Sequence, residues 1–153
     1  VFVFPVNAES IKIGYIDTEK VVNNLTQYQQ ENAYIVSEFE QKKQELLDLF
    51  NHIELMRANL SNIDKSLNEE YFQIELNKVL EFESSFQIET EYWQEQINQK
   101  KIDLLQRIEI IVNKAIKEFA INENYDLILY ENAAFVSENV NISNKIISLI
   151  EEI

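Results

Sequence analysis

The chain has 153 residues and a formal net charge of −14, and its 27 Asp and Glu against 13 Lys and Arg exclude the basic surface that nucleic-acid binding requires. The absence of cysteine excludes disulfides, thiolate metal sites and cysteine nucleophiles. A single Gly and a single Pro leave few turn formers, so we expect a few long elements that complete their burial by oligomerising.

The N-terminal residues 1–8 are almost entirely apolar and carry no charge. Val6 and Ala8 fit the −3 and −1 positions of a signal-peptidase site, and the polar pair Glu9 and Ser10 follows. We therefore predict that residues 1–8 are the remnant of a secretory signal peptide and that the protein is secreted. The alternative is a buried N-terminal strand. No other apolar run approaches the roughly 20 residues that a membrane-spanning helix needs.

Residues 11–16 begin with alternating apolar positions and then become continuously apolar, a pattern that predicts a strand. Asp17 follows directly and is a good N-cap, so we expect a short helix from Thr18 to about Asn23. The pair Asn23–Asn24 favours helix only weakly and indicates a bend at this point.

Residues 25–119 contain no Gly or Pro. Apolar side chains recur there in alternating steps of four and three residues, with Lys42 as the one polar interruption. The series is Ile35, Phe39, Leu46, Leu49, Ile53, Met56, Leu60 and Ile63. A period of 3.5 residues is typical of a coiled-coil seam, so the sequence predicts long paired helices.

The long helical region needs one break near its middle. Residues 66–69 have the S-x-x-E pattern of a capping box, in which the serine and glutamate side chains each accept a hydrogen bond from the other residue's backbone N–H. We therefore expect one helix to end near Leu60 and the next to begin near Leu67. Folding the two helices back on each other then places Leu46 near Phe82.

The C-terminal part of the chain returns to short elements. Residues 122–124, Asn-Glu-Asn, end the long helix, because Asn tolerates the left-handed conformation that a helix terminus often needs. Residues 125–130 predict one strand and residues 133–136 a second. Ser143 is a good N-cap for a last helix, which runs to about Glu152.

The predicted fold class is therefore α+β, mainly α, with a discontinuous domain organisation. Residues 9–24 together with 120–153 form a small β body. Residues 25–119 form one long antiparallel coiled-coil helical hairpin, inserted between the first strand and the later ones.

Four segments resemble the Skp/OmpH family. Residues 12–21, Lys-Ile-Gly-Tyr-Ile-Asp-Thr-Glu-Lys-Val, resemble its opening strand. Residues 124–129, Asn-Tyr-Asp-Leu-Ile-Leu, then Asn132-Ala133 and residues 141–147, Asn-Ile-Ser-Asn-Lys-Ile-Ile, resemble its closing β-hairpin and last helix. Their order and spacing hold from Ile11 to Ile150.

The resemblance implies a homotrimer in which strands of three subunits build the β body and three hairpins surround a cavity like tentacles. It also implies a chaperone that holds unfolded outer-membrane proteins in the periplasm without ATP. The best-known member is basic, and its basic surface is linked to acidic lipids and lipopolysaccharide. Here residues 25–119 hold 10 basic and 18 acidic residues, which argues against lipopolysaccharide or membrane contact.

The second long helix has an apolar face wider than one partner helix covers. The surplus meets another subunit, another part of the hairpin or a ligand, or else the whole face is core within one chain. We predict that Phe72, Phe86 and Trp93 line a cavity for apolar segments of unfolded proteins. The predicted oligomerisation body uses the strand residues Ile13, Tyr15, Leu127, Leu129, Phe135 and Val136.

The polar residues do not indicate catalysis. His52 is the only histidine, so a zinc site with a second histidine is excluded. The carboxylate pairs Glu69–Glu70 and Glu89/Glu91 lie on polar helix faces, whereas a general acid needs burial to raise its pKa. We predict no catalytic residue, no metal site and no cofactor, and therefore no enzyme.

Two other functional classes fit parts of the pattern. A structural coiled-coil envelope protein, or an adaptor for a folded partner, would have the same helical region, but it has no need for strands at both ends. A membrane-surface protein would use an amphipathic helix rich in Lys and Arg, and the acidic faces here argue against it.

Overall fold

The computed structural model describes residues 10–130 and 132–152, so the predicted signal-peptide remnant at residues 1–8 lies outside the described part of the chain. The elements are β1 (Ile13–Ile16), α1 (Thr18–Asn24), α2 (Thr26–Ser61), α3 (Glu69–Asn122), β2 (Leu127–Tyr130) and α4 (Ser143–Glu151). Two long helices joined by a turn and one small strand pair confirm the predicted α+β, mainly helical fold class.

The chain forms two compact units. The terminal unit contains residues 10–31 and 104–152, and the hairpin unit contains residues 32–103. The terminal unit is thus discontinuous in sequence. It takes in more of both long helices than the base of residues 9–24 and 120–153 expected from the sequence.

The strand pair of the terminal unit joins the two ends of the chain, as predicted. β1 and β2 are parallel, with Ile13 opposite Leu127 and Ile16 opposite Tyr130. The other edge of β1 is also paired. The carbonyl of Tyr15 accepts a hydrogen bond of 2.9 Å from the N–H of Ile142, and the N–H of Tyr15 donates one of 2.9 Å to the carbonyl of Val140. β1 therefore lies between two segments from the C-terminal part of the chain.

The prediction of a second strand at residues 133–136 is wrong for the single chain. In the described range 132–152, the only strand-like pairing is a single bridge between Tyr15 and Asn141. Both edges of β1 are already occupied, so no edge of that strand is left for residues 133–136. Phe135 is accordingly 85% exposed.

The core of the terminal unit is apolar, and side chains from both sequence segments of the unit contribute to it. Its fully or nearly buried side chains are Ile16, Val21, Leu25, Leu104, Ile108, Val112, Ala115, Ile142 and Ile146. The four that α3 contributes follow steps of four, four and three residues, so they lie on one face of the helix.

Ser143 is buried among these residues, but it is not the predicted N-cap. It is the first residue of α4, and Ile142 occupies the cap position. The Ser143 hydroxyl accepts a hydrogen bond of 2.9 Å from the N–H of Asp17 and donates one of 2.7 Å to the Asn141 side chain. Asp17 itself caps α1 as expected, by accepting from the N–H of Lys20 at 2.9 Å.

The end of α3 confirms the expected role of asparagine. Asn124 has a φ of 54°, in the left-handed region. The N–H of Tyr125 donates to the carbonyl of Ala120 at 2.9 Å, and the N–H of Asn124 donates to the carbonyl of Ile121 at 3.3 Å. This is the hydrogen-bond pattern of a Schellman motif, with asparagine in the position that glycine usually takes.

The turn of the hairpin unit differs from the predicted capping box at residues 66–69. The N-terminal cap of α3 is Asn68, whose side chain accepts a hydrogen bond of 3.1 Å from the N–H of Tyr71. The Ser66 hydroxyl instead donates to Asp64 at 2.6 Å, and the N–H of Ser66 does so at 3.0 Å. These two hydrogen bonds hold the pKa of Asp64 below its usual range.

The predicted seam is confirmed in the hairpin unit, but the predicted register is wrong. Ile35, Leu46 and Ile53 are buried. Phe82, however, packs against His52, with the ring centroids 5.5 Å apart, and not near Leu46. Residues 62–68 form the turn and α3 begins at Glu69, later than expected. Phe82 therefore meets α2 six residues later in the sequence than predicted, at His52 instead of Leu46.

Candidate binding surface of the hairpin unit

An apolar groove opens between α2 and α3 in the hairpin unit. Its volume is about 350 Å³. The side chains that line it are Lys43, Leu46, Leu47, Phe50, Phe86, Thr90 and Trp93. Only one of them is charged, so the groove suits an apolar side chain of a ligand better than a polar one.

Phe86 and Trp93 lie one heptad apart on α3, so both point to the same side of the helix. The Phe86 ring packs against Phe50 of α2 with centroids 5.9 Å apart and planes at 44°. The Trp93 indole donates a hydrogen bond of 3.2 Å to the carbonyl of Phe39. Both aromatics are half-buried and therefore leave part of each ring available to a ligand.

Phe72 does not join this groove. It lies 14 residues before Phe86 on α3, about 21 Å along the helix axis at 1.5 Å per residue. Its ring lies beside the turn instead, with the Lys65 ammonium 5.2 Å from the centroid. The structure therefore brings together two of the three residues that were predicted to contact unfolded proteins.

Sequence reasoning missed the contribution of α2 to the groove. Leu47 and Phe50 are 46% and 45% exposed and line the α2 side of the groove. Each lies one residue beyond a seam position, Leu46 and Leu49, at the edge of the contact between α2 and α3. The sequence does carry a signal for this contribution. Leu47 and Phe50 form a second apolar series, one residue after the seam residues, and α3 has a similar second series.

Ion pairs between the helices flank the groove. Lys42 donates to Glu89 at 2.6 Å, and Arg57 donates to Glu83 at 2.6 Å. The hydrogen bond from Lys42, reinforced by its charge, lowers the pKa of Glu89, and the same contact raises the pKa of Lys42. Both pairs are partly exposed, so each stabilises the hairpin only slightly.

Thr90 has a buried hydroxyl without a hydrogen-bond partner among the described residues. An unsatisfied buried hydroxyl costs free energy, and valine has the same shape without that group. Thr90→Val is therefore expected to raise the free energy of unfolding by about 1 kcal/mol. Urea unfolding followed by circular dichroism measures the change. Thr90→Ser keeps the hydroxyl, so it should bring no gain, and an equal gain in both variants would contradict the explanation.

The residues predicted for the oligomerisation body lie partly on one face of the strand pair. Side chains alternate along a strand, so Ile13 and Tyr15 share a face with their partners Leu127 and Leu129. Ile13, Leu127 and Leu129 are 43%, 46% and 49% exposed. Phe135 and Val136 lie in the irregular segment after β2. An apolar face this open on a two-stranded sheet is incompletely covered by its own chain.

The polar residues considered for chemistry are distributed along the hairpin surface. His52 packs edge-on against Phe82. Glu69 lies 3.8 Å from the Lys65 ammonium. Within residues 10–130 and 132–152, no group of three or more His, Asp or Glu side chains is arranged to hold a metal ion. No helix of the described ranges is both long and apolar enough to span a bilayer.

A long helical hairpin, an open apolar groove and a small parallel strand pair that joins the chain ends define a class of helical-hairpin proteins. The chain belongs to the OmpH-like outer membrane protein family, whose sequence pattern, described as Outer membrane protein (OmpH-like), matches residues 12–150. No curated protein sequence matches the chain.

The fold is also that of a crystal structure from Caulobacter crescentus CB15, of a candidate outer membrane chaperone (OmpH-like). The TM-score is 0.76, and the match covers 99% of this chain and 90% of the other. The sequence identity is 11%, so this likeness concerns the fold.

Proposed function

We propose that the protein is an ATP-independent holding chaperone for unfolded outer-membrane or periplasmic proteins. The observation that carries the proposal is the apolar groove lined by Phe50, Phe86 and Trp93 in the hairpin unit. Membership of the OmpH-like family supports a chaperone of this kind and a periplasmic location. The acidic charge argues against lipopolysaccharide or membrane contact, and no catalytic step or cofactor is proposed.

Further exposed apolar side chains of the hairpin unit support many weak contacts. They include Tyr34, Leu55, Leu67, Ile88 and Tyr92, each at least 63% exposed. A holding chaperone must bind segments of varied sequence, and scattered apolar contacts combined with one groove suit that task. Phe72, near the turn, is proposed to contact the unfolded protein separately from the groove.

We further propose a homotrimer built on the strand pair, with the client held between three hairpins. The exposed apolar face of Ile13, Leu127 and Leu129 supports an interface between copies of the chain. Phe135, Val136 and Tyr15 are proposed to extend it. Light-scattering mass at several concentrations tests the trimer, and a stable monomer would contradict it.

The chaperone proposal is tested by the aggregation of a denatured β-barrel protein diluted from urea, followed by light scattering. A large apolar side chain that is covered on binding contributes about 1.5–3 kcal/mol. The double variant Phe86→Ser/Trp93→Ser should therefore need at least roughly tenfold more protein for equal protection.

Controls separate a lost contact from a lost fold. Tyr34→Ser removes one of the scattered weak contacts, an aromatic that is 70% exposed in the same unit but outside the groove, so it should cost much less protection than the groove variants. Leu47→Ser removes an exposed groove residue without opening the core, so it should reduce protection while circular dichroism stays unchanged. Undiminished protection by both groove variants would refute the assignment.

The aggregation assay also distinguishes the alternative, a structural coiled-coil protein or an adaptor for a folded partner. Such a protein would bind one folded partner and would not slow the aggregation of unrelated unfolded chains. The paired chain ends are not required for a rod, and they count against this alternative.

A further inference from the structure

A second, shallow surface adjoins the apolar groove. This surface, the acidic depression, lies on α3 and has a volume of about 480 Å³. Its lining residues are Thr90, Glu91, Gln94, Glu95, Asn98, Gln99 and Ile102. Thr90 lines both the groove and the depression, so the two surfaces are continuous.

The carboxylates of the depression are available to a ligand. Glu91 and Glu95 have no basic partner within residues 10–130 and 132–152, although Glu91 accepts a hydrogen bond of 3.0 Å from Gln87. No Lys or Arg occurs anywhere from residue 79 to residue 99. A cation of a ligand therefore meets no repulsion from this stretch of α3.

The cations of the hairpin unit, in contrast, are mostly engaged. Within the described residues, Lys101 is the one cation of this unit that forms no ion pair. The others pair with carboxylates of the same unit, namely Lys42, Lys43, Arg57, Lys65, Lys78 and Lys100. Apart from Lys101, an acidic ligand would have to break one of these pairs, whereas a basic ligand finds the two free carboxylates of Glu91 and Glu95 beside the groove. Charge complementarity thus favours a basic ligand.

We infer that the groove and the acidic depression together bind client segments in which Lys or Arg lies near a large apolar residue. The inference rests on the proposed holding function and specifies its substrate class. The α3 residues of the two surfaces are centred about six residues apart, or roughly 9 Å along the helix. The depression also lies further round the helix, so an extended client needs at least about three residues, at 3.3 Å each, to reach from one surface to the other.

The test uses labelled, unstructured peptides and the full chain, with binding followed by fluorescence anisotropy. One peptide carries Phe with Lys three residues away, and its partner carries Glu in place of Lys. Two exposed ion pairs contribute about 0.2–1 kcal/mol each, so the Lys peptide should bind roughly two- to thirtyfold more tightly at low salt. The difference should shrink at about 1 M salt, where the Debye length falls to about 3 Å.

Variants locate the effect. Glu91→Gln/Glu95→Gln should remove most of the preference for the Lys peptide while leaving the Glu peptide no weaker. Glu138→Gln/Glu152→Gln changes the net charge equally at exposed positions of the terminal unit and should preserve the preference. Loss of the preference in both double variants would assign it to net charge and overturn the site.

The outcomes separate this inference from the proposed function. Equal affinity for the two peptides, with aggregation still suppressed, overturns the charge preference alone. No binding of either peptide, together with no suppression of aggregation, overturns both. Tighter binding of the Lys peptide that does not depend on the Phe residue overturns the combined groove and depression.

Discussion

Replacing Ile108 by Ala is expected to lower the free energy of unfolding by about 2–5 kcal/mol. Ile108 is completely buried in the core of the terminal unit, on the same face of α3 as Leu104 and Val112. The truncation removes buried methyl groups and leaves a cavity that neighbours fixed on a helix fill only partly. Urea unfolding followed by circular dichroism, at one fixed protein concentration, measures the loss.

The matched control is Ile110→Ala. Ile110 lies two residues further along the same helix and is 69% exposed. The chemical change is the same, and alanine is the better helix former, so the stability should change by no more than about 0.5 kcal/mol. Similar losses in the two variants would mean that α3 buries another face, for example in an oligomer.

The same burial pattern explains why the long helices could be predicted from the sequence. A seam that repeats every 3.5 residues indicates a helix wherever it occurs, and Ile35, Leu46 and Ile53 are buried as that seam requires. The strand pairing of the two chain ends was predictable because both segments are apolar and short. The positions 133–136 have strand-like composition too, but a strand also needs a free edge, which composition does not reveal.

The register of the hairpin was not predictable from the seam. A heptad repeat looks the same after a shift of seven residues, so its position is fixed by the turn. Two candidate caps, Ser66 and Asn68, lie two residues apart, and the carboxylate of Asp64 binds the first. Asn68 is therefore left to cap α3.

The candidate site could be predicted from the sequence only where it depends on the heptad spacing and not on the register. Phe86 and Trp93 share a helix face, and one heptad of spacing is enough to predict that they lie on the same side. Phe72 is two heptads from Phe86, so it lies on that side as well but too far away to line the same groove. The contribution of Phe50 depends on the register, and for that reason only coordinates could assign it.

The last prediction concerns the only glycine of the chain, Gly14 in β1. Its φ is not positive, so backbone conformation does not require glycine there; space does. A Cβ atom at this position would lie 3.0 Å from the Ile142 Cδ1 atom and 3.0 Å from the Tyr125 Cε1 atom. Ile142 is 1% exposed, so its side chain can shift only against the surrounding core. Gly14→Val should therefore lower the free energy of unfolding by about 3 kcal/mol, despite the higher strand propensity of valine.

A double-mutant cycle with Tyr125→Ala separates this steric effect from propensity. Removing the Tyr125 ring leaves space for the valine side chain, so Gly14→Val should cost at least about 1 kcal/mol less in that background. Unfolding of the four proteins in urea gives the coupling energy. If the two changes are simply additive, the Tyr125 ring does not limit position 14. The contact with the Ile142 Cδ1 atom is then what limits the position.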